Sequence, residues 1–99
     1  MRLIALLTIK RSELDRVRGY EQAALRIMAR HGGRIEYAYE LAGDTADTVR
    51  ELHVLEFPDQ AAFDAYLADP ERAAHAPDRA RAILSTEVWP TRLLPRYDG

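Results

Sequence analysis

Glu51 and His53 are the residues of this chain whose types and spacing suit proton chemistry. On a strand, residues two apart share a face and sit roughly 6–7 Å from each other along it. A carboxylate there steers the imidazole, directly or through water, and an imidazole is the natural base near neutral pH. The same spacing also suits a hydrogen-bonded histidine in a partly buried sheet, with Glu51 at a solvated strand end. His53 and Glu56 are separated by an odd number, so a regular strand sends them to opposite faces and they form no metal pair. His31 ends a helix-forming stretch, where the dipole favours a cation. His75 lies in an irregular segment just before Pro77, exposed or at a pocket mouth. The three histidines have no zinc or non-haem iron spacing, and no metal is expected. The absence of cysteine excludes a thiolate nucleophile, a thiolate metal site and a disulfide.

A second set of residues suits binding. Tyr37 and Tyr39 share one strand face, Tyr20 and Tyr66 fall on helices, and Trp89 lies on a further strand. Tyr20, Tyr37, Tyr66 and Trp89 can line an aromatic pocket for a flat organic ligand, or serve as core or interface aromatics. Arg79, with Arg81 close by, can hold a carboxylate. There is no glycine-rich phosphate loop, no Ser-His-Asp constellation and no basic-aromatic RNA surface. No cofactor is implied.

The elements that must position these residues centre on the stretch from Glu51 to Pro70. Val49 to Phe57 reads as a strand, with Glu51, His53, Leu55 and Phe57 on one face and Leu52, Val54 and Glu56 on the other. Pro58 cannot donate to a ladder and ends it. Asp59 then caps a helix whose face is Ala62, Phe63, Tyr66 and Leu67, and Pro70 stops that helix near Asp69. Phe57 comes immediately before the turn, so its face belongs under the helices. Both faces carry apolar residues, so both are expected to be covered.

Before this stretch, Arg2 to Ile9 is an apolar run that reads as a central strand. Ser12 and Asp15 resemble a capping box. The helix that follows has an apolar face of Leu14, Val17, Ala24, Leu25 and Met28, broken by Glu21, and ends at His31-Gly32-Gly33. Arg34 to Leu41 alternates as a half-buried strand, with Ile35, Tyr37, Tyr39 and Leu41 on one face. After Pro70, two helical pieces, 70–76 and 78–84, are split by Pro77. Thr86 to Leu94 is the last strand, and Pro90 favours a sheet edge.

The 99 residues make one domain, 1–99. The net charge is −2 and the pI about 5.9, which offers no field for nucleic acid and no polybasic run for a membrane. The apolar run 3–9 is too short to span a bilayer and lacks the features of a signal peptide, so a cytoplasmic location is expected.

The order β-α-β-β-α-β is that of the α+β ferredoxin-like fold: a four-stranded antiparallel sheet with its helices on one face. The other face is bare yet apolar, which implies a partner. A two-fold homodimer with the sheets face to face is the economical solution.

Arg30-His31-Gly32-Gly33-Arg34, Leu55-Glu56-Phe57-Pro58 and the Ala62-Phe63…Tyr66…Asp69-Pro70 helix resemble the small dimeric α/β-barrel proteins of unknown function. These are kin to the antibiotic-biosynthesis monooxygenases and the EthD-like and YCII-like proteins. The resemblance covers nearly the whole chain and includes Glu56, which reads as a polar contact at the dimer interface. It implies a homodimer and a pocket between sheet and helices, and it spans cofactor-free oxygenases, isomerases, haem enzymes and binding modules. Relatives often carry an aliphatic residue where this chain has His53, so the role of His53 is not implied by the resemblance.

Two functions are therefore expected. One is a homodimer that binds a small molecule between sheet and helices. The other is a cofactor-independent oxygenase, isomerase or cyclase, acting on an aromatic or polyketide-like substrate with His53 as base.

Overall fold

The computed structural model describes residues 1–42 and 45–95. In chain order the elements are β1 (Arg2–Lys10), a 3-10 turn (Arg11–Glu13), α1 (Leu14–Arg30), β2 (Arg34–Glu40), β3 (Thr48–Glu56), α2 (Gln60–Leu67), α3 (Pro70–Ala74), α4 (Ala76–Ala82) and β4 (Ile83–Pro90). The strands form one antiparallel sheet in the order β2-β3-β1-β4. This is the ferredoxin-like arrangement, with the two apolar strands in the middle.

Alternation decides which face is which. In β1, Leu3, Ala5, Leu7 and Ile9 are buried, while Ile4, Leu6 and Thr8 are only partly covered. Across the ladder they meet Leu55, His53, Glu51 and Val49. Directly opposed residues in an antiparallel pair share a face, so Glu51, His53, Leu55 and the following Phe57 all lie under the helices. Phe57 is fully buried and packs edge-on against Phe63, 5.2 Å between ring centres, and beside Tyr66 at 5.5 Å. These rings, with Val17, Ile27 and Met28 of α1, form the core.

Two local signals act as expected. Asp59 accepts from the Ala62 amide at 2.8 Å and starts α2. α1 ends in a left-handed glycine: Gly32 has φ +75°, its amide reaches Ala29 O, and the Gly33 amide reaches Met28 O at 2.8 Å. A side chain on Gly33 would run into the Phe57 ring, so glycine is needed there to let the chain pass over the core.

Other expectations are corrected. Ser12 does not cap α1: a 3-10 turn intervenes, and Glu13 instead pairs with Arg16 at 2.8 Å. The buried stripe of α1 is Val17, Ala23, Ala24, Ile27 and Met28, leaving Leu25 at the surface. The two short helices part at His75, and Pro77 stands in the first turn of α4, where its missing N–H costs nothing. β4 begins three residues earlier than expected and stops at Pro90, opposite Leu3 on the sheet edge.

The larger correction is in β2. Ile35 stands opposite Leu55, but Tyr37 stands opposite Val54 and Tyr39 opposite Leu52. A bulge at Glu36 therefore reverses the alternation, and both tyrosines share the register of the open sheet face. Glu36 uses the bulge to bind Arg2 at 2.7 Å. Glu56, also on the open face, already has the Met1 ammonium at 3.3 Å and Arg2 at 3.8 Å. Its partners thus come from its own chain. Among the described residues, no helix is long and apolar enough to cross a membrane.

Candidate active site

Three consecutive inward positions of β3 bring Glu51, His53 and Leu55 beneath α1. The closest turn of α1 presents Glu21, which interrupts the stripe Val17, Ala24, Met28 at helical spacing. A carboxylate in that stripe must find partners under the helix, and it finds them on β3. His53 Nε2 lies 2.9 Å from Glu51 Oε1 and 3.5 Å from Glu21 Oε2. One turn earlier on α1, Arg18 closes the cluster. Its Nη2 donates to Glu51 Oε2 at 2.6 Å and its Nη1 to Glu21 Oε1 at 2.8 Å. Glu51 and His53 are each only 5% exposed, so both depend on these contacts.

The two carboxylates are driven apart. The hydrogen bond from His53, with the one from Arg18, holds the Glu51 carboxyl well below the usual carboxylate range despite its burial. Burial pushes Glu21 up, and the charge on Glu51 adds to that, against the hydrogen bond and charge of Arg18. The Glu51 contact raises Arg18 above its usual value, so its guanidinium stays charged. An ionised carboxylate can only accept. Neutral His53 therefore carries its proton on Nε2 and donates it to Glu51, which leaves Nδ1 as the basic nitrogen. Among the described residues Nδ1 has no hydrogen-bond partner. Glu51 orients the ring and would neutralise the imidazolium that forms once Nδ1 takes a proton.

Glu21, Glu51 and His53 each offer a ligand atom, all within 4.8 Å of one another. Arg18 already supplies the positive charge between the carboxylates, and Nε2 is directed at Glu51. A divalent ion would have to displace both interactions.

His53 and Glu21 form part of the wall of a cavity of about 100 Å³ between sheet and helices. Its apolar lining includes Leu7, Ala24, Met28, Leu55 and Phe63. Its polar lining includes Tyr20, Tyr66, Arg72, Arg79 and Thr86. Tyr66 is buried, which pushes its phenol up, and the Arg72 guanidinium lies over its ring at 5.2 Å. Tyr20 meets the edge of His75, 6.3 Å between ring centres.

Of the residues singled out from sequence, the structure joins His53 to Glu51 and gathers Tyr20, Tyr66 and Arg79 around the same cavity. Tyr37 and Trp89 do not line it. Tyr37 stacks with Tyr39 on β2, and Trp89 stands opposite Ile4 on the open face. One pocket for all four aromatics is therefore corrected: the β2 bulge and the register of β4 place two of them elsewhere. His31 is held at 2.8 Å by Asp69 and belongs to the helix end. Sequence reasoning missed Arg18, Arg72 and the role of Glu21. The break that Glu21 makes in an apolar stripe was the available signal.

No family model matches the chain, and no curated protein matches it by sequence. Solved structures do match. SnoaB, a cofactor-independent oxygenase from Streptomyces nogalater, aligns over 94% of this chain and 95% of its own, with TM-score 0.62 and 16% identity. An antibiotic biosynthesis monooxygenase aligns over 95% and 98%, with TM-score 0.68 and 20% identity. An uncharacterised NIPSNAP domain protein from Burkholderia xenovorans aligns over 94% and 98%, with TM-score 0.63 and 18% identity. The chain thus shares the ferredoxin-like fold of these structures.

Proposed function

We propose that this chain forms a homodimer that binds a small organic molecule between sheet and helices and removes a proton from it with His53, without a cofactor. The observation that carries the reading is a buried histidine fixed by Glu51 at the wall of an apolar cavity. Proton transfer in such a site breaks a C–H or O–H bond of the ligand and forms N–H on Nδ1. The electron pair stays on the ligand, as a carbanion or enolate from a C–H bond and as a phenolate or other oxyanion from an O–H bond, and the imidazolium is balanced by Glu51. Returning the proton to another atom of the ligand makes an isomerase. Passing the electrons to dioxygen makes an oxygenase, the activity stated for the Streptomyces neighbour.

The dimer is supported by the open sheet face. Ile4, Leu6, Leu52 and Val54 are only partly covered there, and Trp89 and Tyr37 are 47% and 60% exposed. A contiguous apolar face of this kind is unusual on a monomer, and a second copy offers the matching surface.

The test is deuterium exchange at the α-carbon of small ketones and keto acids, followed by NMR. The wild-type protein is expected to catalyse exchange, and His53→Gln to lower the rate about 10²–10⁴-fold with its fold and assembly unchanged. Exchange that survives the substitution defeats the base. No exchange by the wild-type protein on any such compound leaves binding alone as the function.

A further inference from the structure

The cavity has a second polar end, and it is cationic. Arg72 Nε is buried and has no hydrogen-bond partner. Arg79 Nη2 donates to Thr86 Oγ1, a neutral acceptor, at 2.5 Å. Among the described residues neither arginine pairs with a carboxylate, although Arg2, Arg16, Arg18 and Arg30 each do. A half-buried guanidinium without a counter-ion is costly. The Tyr66 ring offsets that only in part for Arg72. Surface arginines without a carboxylate are ordinary; two in one cavity wall, whose neighbours there are the neutral hydroxyls of Tyr66 and Thr86, keep their charge for an anion.

Sheet register gives the distance to the base. Thr86 stands opposite Leu7, and Leu7 opposite Glu51; Val88 stands opposite Ala5, and Ala5 opposite His53. The arginine end is thus anchored two strands from the histidine end, roughly 10 Å across the sheet. Volume sets the upper size. A closed cavity of roughly 150 Å³ holds one benzene; this one is about 100 Å³ and open on one side, so a single ring already reaches its mouth and a larger ring system does not fit.

On these grounds we infer that the ligand is a small organic carboxylate of one ring or less, its anionic oxygens held by Arg72 and Arg79 and its reacting end turned to His53. The inference rests on the reading of this cavity as the ligand site, and it adds charge and size to it. A guanidinium fork matches a carboxylate in two parallel hydrogen bonds, which a neutral amide of the same shape cannot replace.

The test compares benzoate, benzamide, anthraquinone-2-carboxylate and inorganic phosphate on the wild-type protein, by ligand-detected NMR or calorimetry. Benzoate is expected to bind at least about tenfold more tightly than each of the other three, because charge-assisted bonds are about twice as strong as neutral ones. Arg72→Gln and Arg79→Gln should each lower benzoate affinity while leaving benzamide unchanged. Arg79→Lys, which keeps the charge and loses the fork, should fall between. Equal binding of benzoate and benzamide, or no binding of either, overturns the inference, and the wild-type comparison stands even if a variant fails to fold. Tighter binding of the three-ring acid overturns the size limit, and tighter binding of phosphate overturns the organic acid. His53→Gln separates the two readings. If it keeps the benzoate preference and also keeps proton exchange, the base falls alone. If exchange is lost but charge makes no difference to binding, the anion site falls alone.

Discussion

Two carboxylates a few ångströms apart should respond to the same substitution with opposite signs. Glu51→Gln removes the charge that accepts from His53 at 2.9 Å and from Arg18 at 2.6 Å. A hydrogen bond to a charged group contributes about 1.5–3 kcal/mol. The Arg18 side chain is 52% exposed, so its share is at most about 1 kcal/mol after solvent screening. Gln keeps one acceptor oxygen for one of the two partners, which puts the net loss at about 2 kcal/mol, or about 8–16 °C in melting temperature for a chain of this size. Because Glu51 is held below the usual carboxylate range in the folded state, its contribution is present above that range. It is lost as pH falls toward the folded-state value. The deficit of Glu51→Gln should therefore be full at pH 7 and shrink below about pH 4. Glu21 is raised by burial, so its contribution is present below the usual range and lost as pH rises through the raised value. Glu21→Gln removes that neutral-pH penalty at the cost of one half-exposed Arg18 contact, at most about 1 kcal/mol. It should be at least as stable as wild type at pH 7. Urea unfolding followed by circular dichroism, at one protein concentration and several pH values, reads both. Equal destabilisation by the two substitutions at pH 7, or a Glu51→Gln deficit that does not change with pH, refutes the assignment of charges in the cluster.

Two further outcomes concern the frame. Gly33→Ala drives a methyl group into the fully buried Phe57 ring and should lower stability by about 1–3 kcal/mol, as overpacking does; a thermal melt indistinguishable from wild type would show that the ring can move. Val54→Asp puts an unpaired charge on the open sheet face, and light scattering should show twice the 11.3 kDa chain mass for wild type and the single mass for the variant. A wild-type monomer at micromolar concentration removes the dimer from the proposed function.

The fold was legible because its signals are redundant. In β3 the alternation, the proline stop and the aspartate cap all agree, so the face carrying Glu51, His53, Leu55 and Phe57 could be placed from sequence with the core residue Phe57 as the guide. β2 offered one signal only. Its alternation is regular on paper, and the bulge at Glu36 contains no glycine to announce it. One extra residue is enough to turn Tyr37 and Tyr39 to the other side. The last strand was placed late for a related reason: the residues Ile83 to Ser85 continue a helical pattern, and it is pairing with β1 that takes them into the sheet.

The site was half legible for a deeper reason. Residues two apart on one strand meet by local geometry, so Glu51 and His53 could be paired without knowing the fold. Arg18 and Glu21 reach them from α1 across more than 30 positions of chain, and no local period encodes that meeting. What the sequence did carry was a misfit, a charged residue in the middle of an apolar stripe. A misfit of that kind survives in a folded chain only if something buried answers it. Here the answer is a histidine held by one carboxylate and approached by a second, with an arginine joining the two carboxylates. Arg72 shows the same logic at the other end of the cavity, with the difference that among the described residues no carboxylate answers it. A base steadied by a carboxylate at one end, and two arginines that meet no carboxylate among the described residues at the other, are what the inferred anionic ligand would use.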